Sequence, residues 1–162
     1  MIVLYLLWAF LIIFVCPSVG FAGGVWVLWN GNFVTVEVLA FSRQSVHALV
    51  RFNNDGEWLL LAAYASPNPL IRSDLWKTLS VMSHHVNIPW LVAGDLNDTA
   101  TSSEKMGGDA FDYRRAALFN PRINDCNLID LGFKGQPFTW RGKCRGSCIV
   151  QERLDRALSS DS

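Results

Sequence analysis

The segment Trp90-Leu91-Val92-Ala93-Gly94-Asp95-Leu96-Asn97 ends an apolar run at a glycine and then sets two polar side chains two positions apart. In an extended segment alternate side chains share a face, so Asp95 and Asn97 are expected on the same side. A carboxylate there can orient or deprotonate a water, and a carboxamide can donate to a phosphoryl oxygen. That pairing suits the hydrolysis of phosphate esters. The same Asp-x-Asn letters also make an Asx-turn at a strand end, so the pair alone leaves both readings open.

A second group of interest is Trp140 with Arg141, Lys143 and Arg145 around it. An aromatic side chain interleaved with cations suits a nucleic-acid backbone and its bases. The alternative is a solvated basic loop between two strands. Cys144 and Cys148 could supply two zinc ligands, but no second Cys or His pair stands at suitable spacing. Cys16, Cys126, Cys144 and Cys148 are therefore expected to be free thiols, mostly buried. His47, His84 and His85 are too scattered to argue for a site.

The elements that would carry these residues can be read from pattern. With 162 residues, 51% of them hydrophobic and 17% charged, the chain is expected to bury a core as one domain. The formal net charge is zero, so no global field draws it to nucleic acid. Charge is nevertheless uneven: no charged residue precedes Glu37, and most Lys and Arg follow residue 100. Val25 to Leu28 and Phe33 to Leu39 are expected to form a hairpin through Asn30-Gly31-Asn32. Val46 to Phe52 and Trp58 to Tyr64 suggest another through Asn53-Asn54-Asp55-Gly56. Leu75, Leu79 and Met82 mark one face of a helix over Leu70 to Val86, with Ser73 or Asp74 near its start. Trp90 to Ala93 is a short buried strand, and residues 98–110 a loop. Asn120-Pro121 predicts an N-cap and a short helix to Cys126. Leu128 to Leu131, Phe138 to Trp140 and Ile149 to Leu158 supply the last strand signals.

Met1 to Cys16 is almost continuously apolar until Pro17. The run is short for a spanning helix and lacks a basic n-region, although Ser18 and Gly20 stand where a signal peptide would be cleaved. A signal peptide, a membrane anchor and a packed segment are all open readings for residues 1–20. Residues 21–158 are expected to form the domain proper, with 159–162 as a tail.

Tyr64 ahead of Pro67, the Gly94-Asp95-Leu96-Asn97 segment and Ser103-Glu104-Lys105-Met106-Gly107-Gly108 follow in order. After them come Asp125 to Phe133, Gly135-Gln136-Pro137-Phe138-Thr139-Trp140 and Glu152-Arg153-Leu154-Asp155-Arg156. This series resembles the endonuclease/exonuclease/phosphatase superfamily, and within it the endonucleases of plant LINE-type retrotransposons and their host-gene derivatives. The resemblance runs from about Phe21 to Leu158. It implies an α/β (α+β) fold, a partial four-layered αββα sandwich. It also implies Mg2+-dependent phosphodiester hydrolysis, with DNA as partner and a nuclear or cytoplasmic setting; the secretory pathway applies if residues 1–20 act as a signal peptide. By the resemblance, Asp95 orients the attacking water, Asn97 and Tyr64 contact phosphate oxygens, and Asp155 orients a catalytic histidine.

Departures from the family pattern bear on activity. Relatives carry an asparagine and a metal-binding glutamate before the glycine pair, where this chain has its charge-free leader. The family's terminal Ser-Asp-His segment is not matched by Ser160-Asp161-Ser162, which lies too close to Asp155. The reading that follows is a truncated, retroelement-derived endonuclease-like domain with little or no catalysis. The alternatives are a weak nuclease completed by another chain, and a non-catalytic module binding nucleic acid or protein through Trp140 and the basic residues near it.

Overall fold

The computed structural model describes residues 2–6, 11–17, 24–52, 56–144 and 148–160. Arg145, the Ser18 and Gly20 region, the Asn53-Asn54-Asp55 turn and the Asp161-Ser162 end lie outside the described residues. The described part of the apolar leader is strand: β1 (Ile2–Leu6) and β2 (Leu11–Cys16) flank β3 (Val25–Asn30), β1 parallel and β2 antiparallel to it. No helix of the described residues is long and apolar enough to cross a membrane.

A six-stranded sheet forms the middle of the molecule, in the order β4-β5-β6-β7-β12-β9. Its strands are β4 (Val34–Phe41), β5 (Ser45–Phe52), β6 (Glu57–Tyr64), β7 (Trp90–Asp95), β9 (Leu128–Asp130) and β12 (Asp155–Ser160). The pleat of β6 sorts its side chains between two cores. Leu59, Leu61 and Ala63 face helices α1 (Pro69–Ser83) and α2 (Tyr113–Asp125), packing with Leu75, Trp76, Leu79 and Phe119. Leu60 and Ala62 face the β1-β3-β2 sheet, packing with Val25, Val27 and Trp29. Helix layer, central sheet and second sheet are the partial αββα sandwich expected. A third, small antiparallel sheet joins β10 (Trp140–Lys143), β11 (Ile149–Glu152) and β8 (Lys105–Met106).

Several local expectations are corrected. The Asn30-Gly31-Asn32 turn forms, with Phe33 N–H donating to Asn30 O at 3.1 Å. Yet β3 and β4 pair in different sheets, because the residues on either side of the turn are buried against each other across the inter-sheet core. Helix α1 is capped by Asn68, whose side chain accepts from Leu70 N–H, with Pro69 in the first turn; Ser73 and Asp74 lie inside the helix. Helix α2 starts well before Asn120. The Asp112 carboxylate accepts from the Arg114 and Arg115 N–H groups, and Pro121 sits within the helix. Residues 98–110 include a 3-10 turn at Ser102–Glu104 and strand β8. Ile149 to Leu158 is two strands in two sheets, broken at Arg153-Leu154. Cys144 and Cys148 are disulfide-bonded across the β10–β11 hairpin, whose pairing brings their Cα atoms to 5.2 Å. Both thiols are therefore consumed; only Cys16 and Cys126 are free, and both are buried.

Candidate functional site

Strands β6, β7 and β12 lie side by side, parallel and then antiparallel, and their register places Tyr64 opposite Asp95 and Asp95 opposite Asp155. Register partners on adjacent strands share a face, so the three side chains form a row across the sheet. The row lies on the face turned toward the second sheet, against whose core Tyr64 packs. The close approach of β7 to β6 here requires Gly94. Its φ is 138°, and a Cβ there would lie 2.0 Å from Ala63 O.

Strand β7 ends at Asp95, and the chain then turns. Asn97 has φ 50°, so the alternation expected to align it with Asp95 stops one residue early. A local hydrogen bond replaces it: Asn97 N–H donates to Asp95 Oδ1 at 2.8 Å, closing an Asx-turn. Asn97 Nδ2 donates to Ala65 O at 2.7 Å, while Ala65 N–H donates to Asp95 O at 2.7 Å. The turn and the site are thus one structure. It presents Asn97 to the same cavity as Asp95 by a route that strand periodicity did not supply.

That cavity, of about 570 Å³, is lined by Tyr64, Asp95, Asn97 and Asp155 together with Pro67, Arg115, Thr139, Trp140, Glu152 and Leu154. Four sequence-derived site residues and Trp140 therefore meet in one place. Arg141 and Lys143 do not: on β10 they alternate with Trp140 and Gly142, so the pleat turns them to the other face of the hairpin. The Trp140 ring lies against Gly142, where a Cβ would meet the indole at 2.2 Å. His47 lines a separate cavity, and His84 and His85 stand at the end of α1.

The electrostatics distinguish the two aspartates. Burial pushes the Asp95 carboxyl up to about 6, opposed by the Asn97 N–H and reinforced by the neighbouring Asp155 charge. The Asp155 carboxylate has no hydrogen-bond or ion-pair partner among the described residues. Arg153 and Arg156, its neighbours in sequence, turn instead to Glu104 and Asp130. Arg153 reaches Glu104 Oε1 at 2.9 Å and Asp130 Oδ1 at 2.7 Å; Arg156 reaches Asp130 Oδ2 at 2.6 Å and also pairs with Glu104. Burial works against the Glu104 carboxylate, but hydrogen bonds from Arg156, Ala100 N–H and Arg153 hold it below its usual range.

Five supporting residues were not legible as site residues: Asp98, Arg72, Arg115, Thr139 and Glu152. Asp98 is buried and pairs with Arg72 (2.7 Å) and Arg115 (2.9 Å), while Arg115 also donates to Asn97 O at 2.6 Å. Arg72 donates to Ser66 O and Pro67 O, tying the loop after Tyr64 to the loop after Asp95. An arginine in line with Leu75, Trp76 and Leu79 on the apolar face of α1 was the available signal. Thr139 Oγ1 accepts from the Leu154 and Asp155 N–H groups, both at 3.0 Å. Glu152, opposite Trp140 in register, is bound by Lys105 Nζ at 2.6 Å.

The Mg2+ implied by the family resemblance finds no ready ligand group. Among the described residues no three His, Cys, Asp or Glu side chains come together to hold a metal ion. The cavity's third carboxylate, Glu152, is already engaged by Lys105. The described residues thus offer no all-protein cage for a divalent ion, and no step is assigned to one.

No protein-family model matches the sequence, and a search of curated protein sequences finds no match. Solved structures do match. The endonuclease domain of TRAS1, a telomere-specific non-LTR retrotransposon, superposes with a TM-score of 0.68 at 18% identity, over 93% of this chain and 67% of that one. The human Nocturnin catalytic domain, solved with a bound sulfate anion, gives 0.54 at 15% identity, over 93% of this chain and 60% of that one. ANGEL2, a 2',3'-cyclic phosphatase, gives 0.54 at 10% identity, over 94% and 62%. The chain spans roughly three fifths to two thirds of the length of these neighbours. Its fold is of the endonuclease/exonuclease/phosphatase type.

Proposed function

We propose that this chain is a retroelement-derived domain of the LINE endonuclease branch that keeps the cradle of a DNA phosphodiesterase and has little or no hydrolysis of its own. The observation that carries the reading is the register row Tyr64–Asp95–Asp155, which meets Asn97 in one cavity. Asp95, with its carboxyl near 6, is suited to take a proton from an attacking water. Tyr64 and the remaining Asn97 amide hydrogen are suited to contact phosphate oxygens. What hydrolysis needs in addition is positive charge on the developing oxyanions. Among the described residues the only cation lining the cavity is Arg115, already committed to Asp98 and Asn97 O. Two carboxylates without that charge raise the cost of bringing a phosphodiester to the water. Removing one preorganised stabilising group commonly costs about a hundredfold or more in rate.

The test is nicking of supercoiled plasmid by the full chain in Mg2+ and in EDTA, beside Asp95→Ala. Parent and variant are expected to stay at background. Mg2+-dependent nicking by the parent that Asp95→Ala abolishes would overturn the proposal and show a working site, one completed by groups from another chain or by substrate. A second reading, a binding module working through β10, is favoured by the exposure of Trp140, Arg141 and Lys143 on one hairpin. Under it, binding of a duplex oligonucleotide survives Asp95→Ala and EDTA but weakens in the double variant Arg141→Ala, Lys143→Ala.

A further inference from the structure

Thr139, from the Phe138-Thr139-Trp140 segment, has no part in the chemistry above, yet its hydroxyl is unusually constrained. The side chain lines the cavity that holds Asp95 and Asp155. Its Oγ1 accepts two backbone N–H groups at once, those of Leu154 and Asp155, each at 3.0 Å. A hydroxyl oxygen has two acceptor lone pairs and one donor hydrogen. With both lone pairs filled, the hydrogen remains, and the cavity is the open direction for it. The backbone of Thr139 is itself fixed, its N–H donating to Glu152 O at 3.0 Å. The two N–H groups it receives belong to the residues where β11 gives way to β12, at the point where Asp155 enters its register with Asp95.

We infer that Thr139 is the positioning residue of this site, anchoring Asp155 beside Asp95 through its two acceptor bonds, and that its remaining hydroxyl hydrogen is a donor to an oxygen of the bound phosphodiester. The donor role rests on the reading of the cavity as a phosphodiester cradle; the anchoring role does not. Valine keeps the shape of threonine and removes both functions, whereas serine keeps them. Loss of the anchor lets the Asp155 charge move off and lets water reach Asp95. Both changes act in one direction, lowering the Asp95 midpoint from its raised value.

The experiment compares the full chain with Thr139→Val and Thr139→Ser in three readouts. These are amide hydrogen exchange at Leu154 and Asp155, the Asp95 carboxyl titration by NMR, and anisotropy of a fluorescein-labelled thymidine hexanucleotide at fixed salt. Thr139→Val is expected to lose protection at both amides, to bring the Asp95 midpoint down, and to weaken oligonucleotide binding by about five- to tenfold, the weight of one hydrogen bond. Thr139→Ser is expected to match the parent in all three. Unchanged amide protection and an unchanged Asp95 midpoint in Thr139→Val overturn the anchoring role. Equal oligonucleotide affinity in Thr139→Val and the parent overturns the donor role. If the parent itself fails to bind the oligonucleotide, the phosphodiester reading and the donor role fall together, while the amide and titration results still decide the anchor.

Discussion

Asp95→Asn should make the folded protein more stable at neutral pH, although it removes the carboxylate on which the proposed chemistry relies. Burial raises the Asp95 carboxyl from its ordinary 3.8 to about 6, a shift of about two units. At about 1.4 kcal/mol per unit, keeping Asp95 ionised in the fold costs at most about 3 kcal/mol. Water reaching the open cavity reduces this to about 1–3 kcal/mol. The replacement amide keeps an oxygen that can accept from Asn97 N–H, so the Asx-turn survives. The pH dependence has a definite sign. Below about 3.8 both folded and unfolded chains are protonated at this residue, and its favourable contribution is fully present. Between about 4 and 6 the folded state holds the proton more tightly, so stability is lost as pH rises; above that the penalty is constant. The assay is urea denaturation of parent and variant from pH 4 to 7.5. With an m-value of about 2 kcal/mol/M, the variant midpoint should exceed the parent's by about 0.5–1.5 M at pH 7.5 and approach it near pH 4. A gap that does not change with pH, or one that widens toward acid, would refute the argument that Asp95 is held ionised against its burial.

The remaining predictions address the supports and the rim. Gly94→Ala should destabilise the fold by more than about 3 kcal/mol, read as loss of a cooperative urea transition, because the new Cβ would meet Ala63 O and the φ of 138° is strained for alanine. Glu104→Ala should cost about 3–5 kcal/mol in the same assay by leaving Arg153 and Arg156 short of a partner; a loss below about 1 kcal/mol would show that the network is dispensable. Glu104 and Asp130 are held below their usual range, so their stabilisation is present above about pH 4.5 and lost as acid takes the pH through their folded values. Acid denaturation monitored by circular dichroism should therefore shift to higher pH in Asp130→Asn. Trp140→Ala should weaken single-stranded oligonucleotide binding by about 1–3 kcal/mol in anisotropy if bases stack on the cavity rim. An unchanged affinity would move binding to the opposite face of the hairpin, where Arg141 and Lys143 stand.

The four residues that line the cavity together, Asp95, Asn97, Tyr64 and Asp155, could be picked out in the linear chain from the motifs that carry the family resemblance, and hydrophobic periodicity located α1, β5, β6 and β7. These are local properties: alternation, a glycine at a strand end, a proline after a tyrosine. What tertiary structure decided is where sheets part and which charges pair. Nothing local says that β3 and β4, joined by an Asn-Gly turn, pair in different sheets, because the choice depends on burial across the inter-sheet core. Asp112, rather than Asn120, caps α2 because the helix must begin early enough to place Ala116, Phe119 and Ile123 against the central sheet and to bring Arg115 to Asp98. Neighbours in sequence, Arg153, Asp155 and Arg156, were natural partners on paper. Folding sends both arginines to Glu104 and Asp130, and so leaves Asp155 without an ion-pair partner among the described residues, beside Asp95. The sequence by itself determined which side chains were candidates for chemistry, since that is a property of residue type and of the motifs they stand in. Only the packed sheet decided which of them meet in one cavity, because register and long-range charge pairing exist only once the strands are side by side.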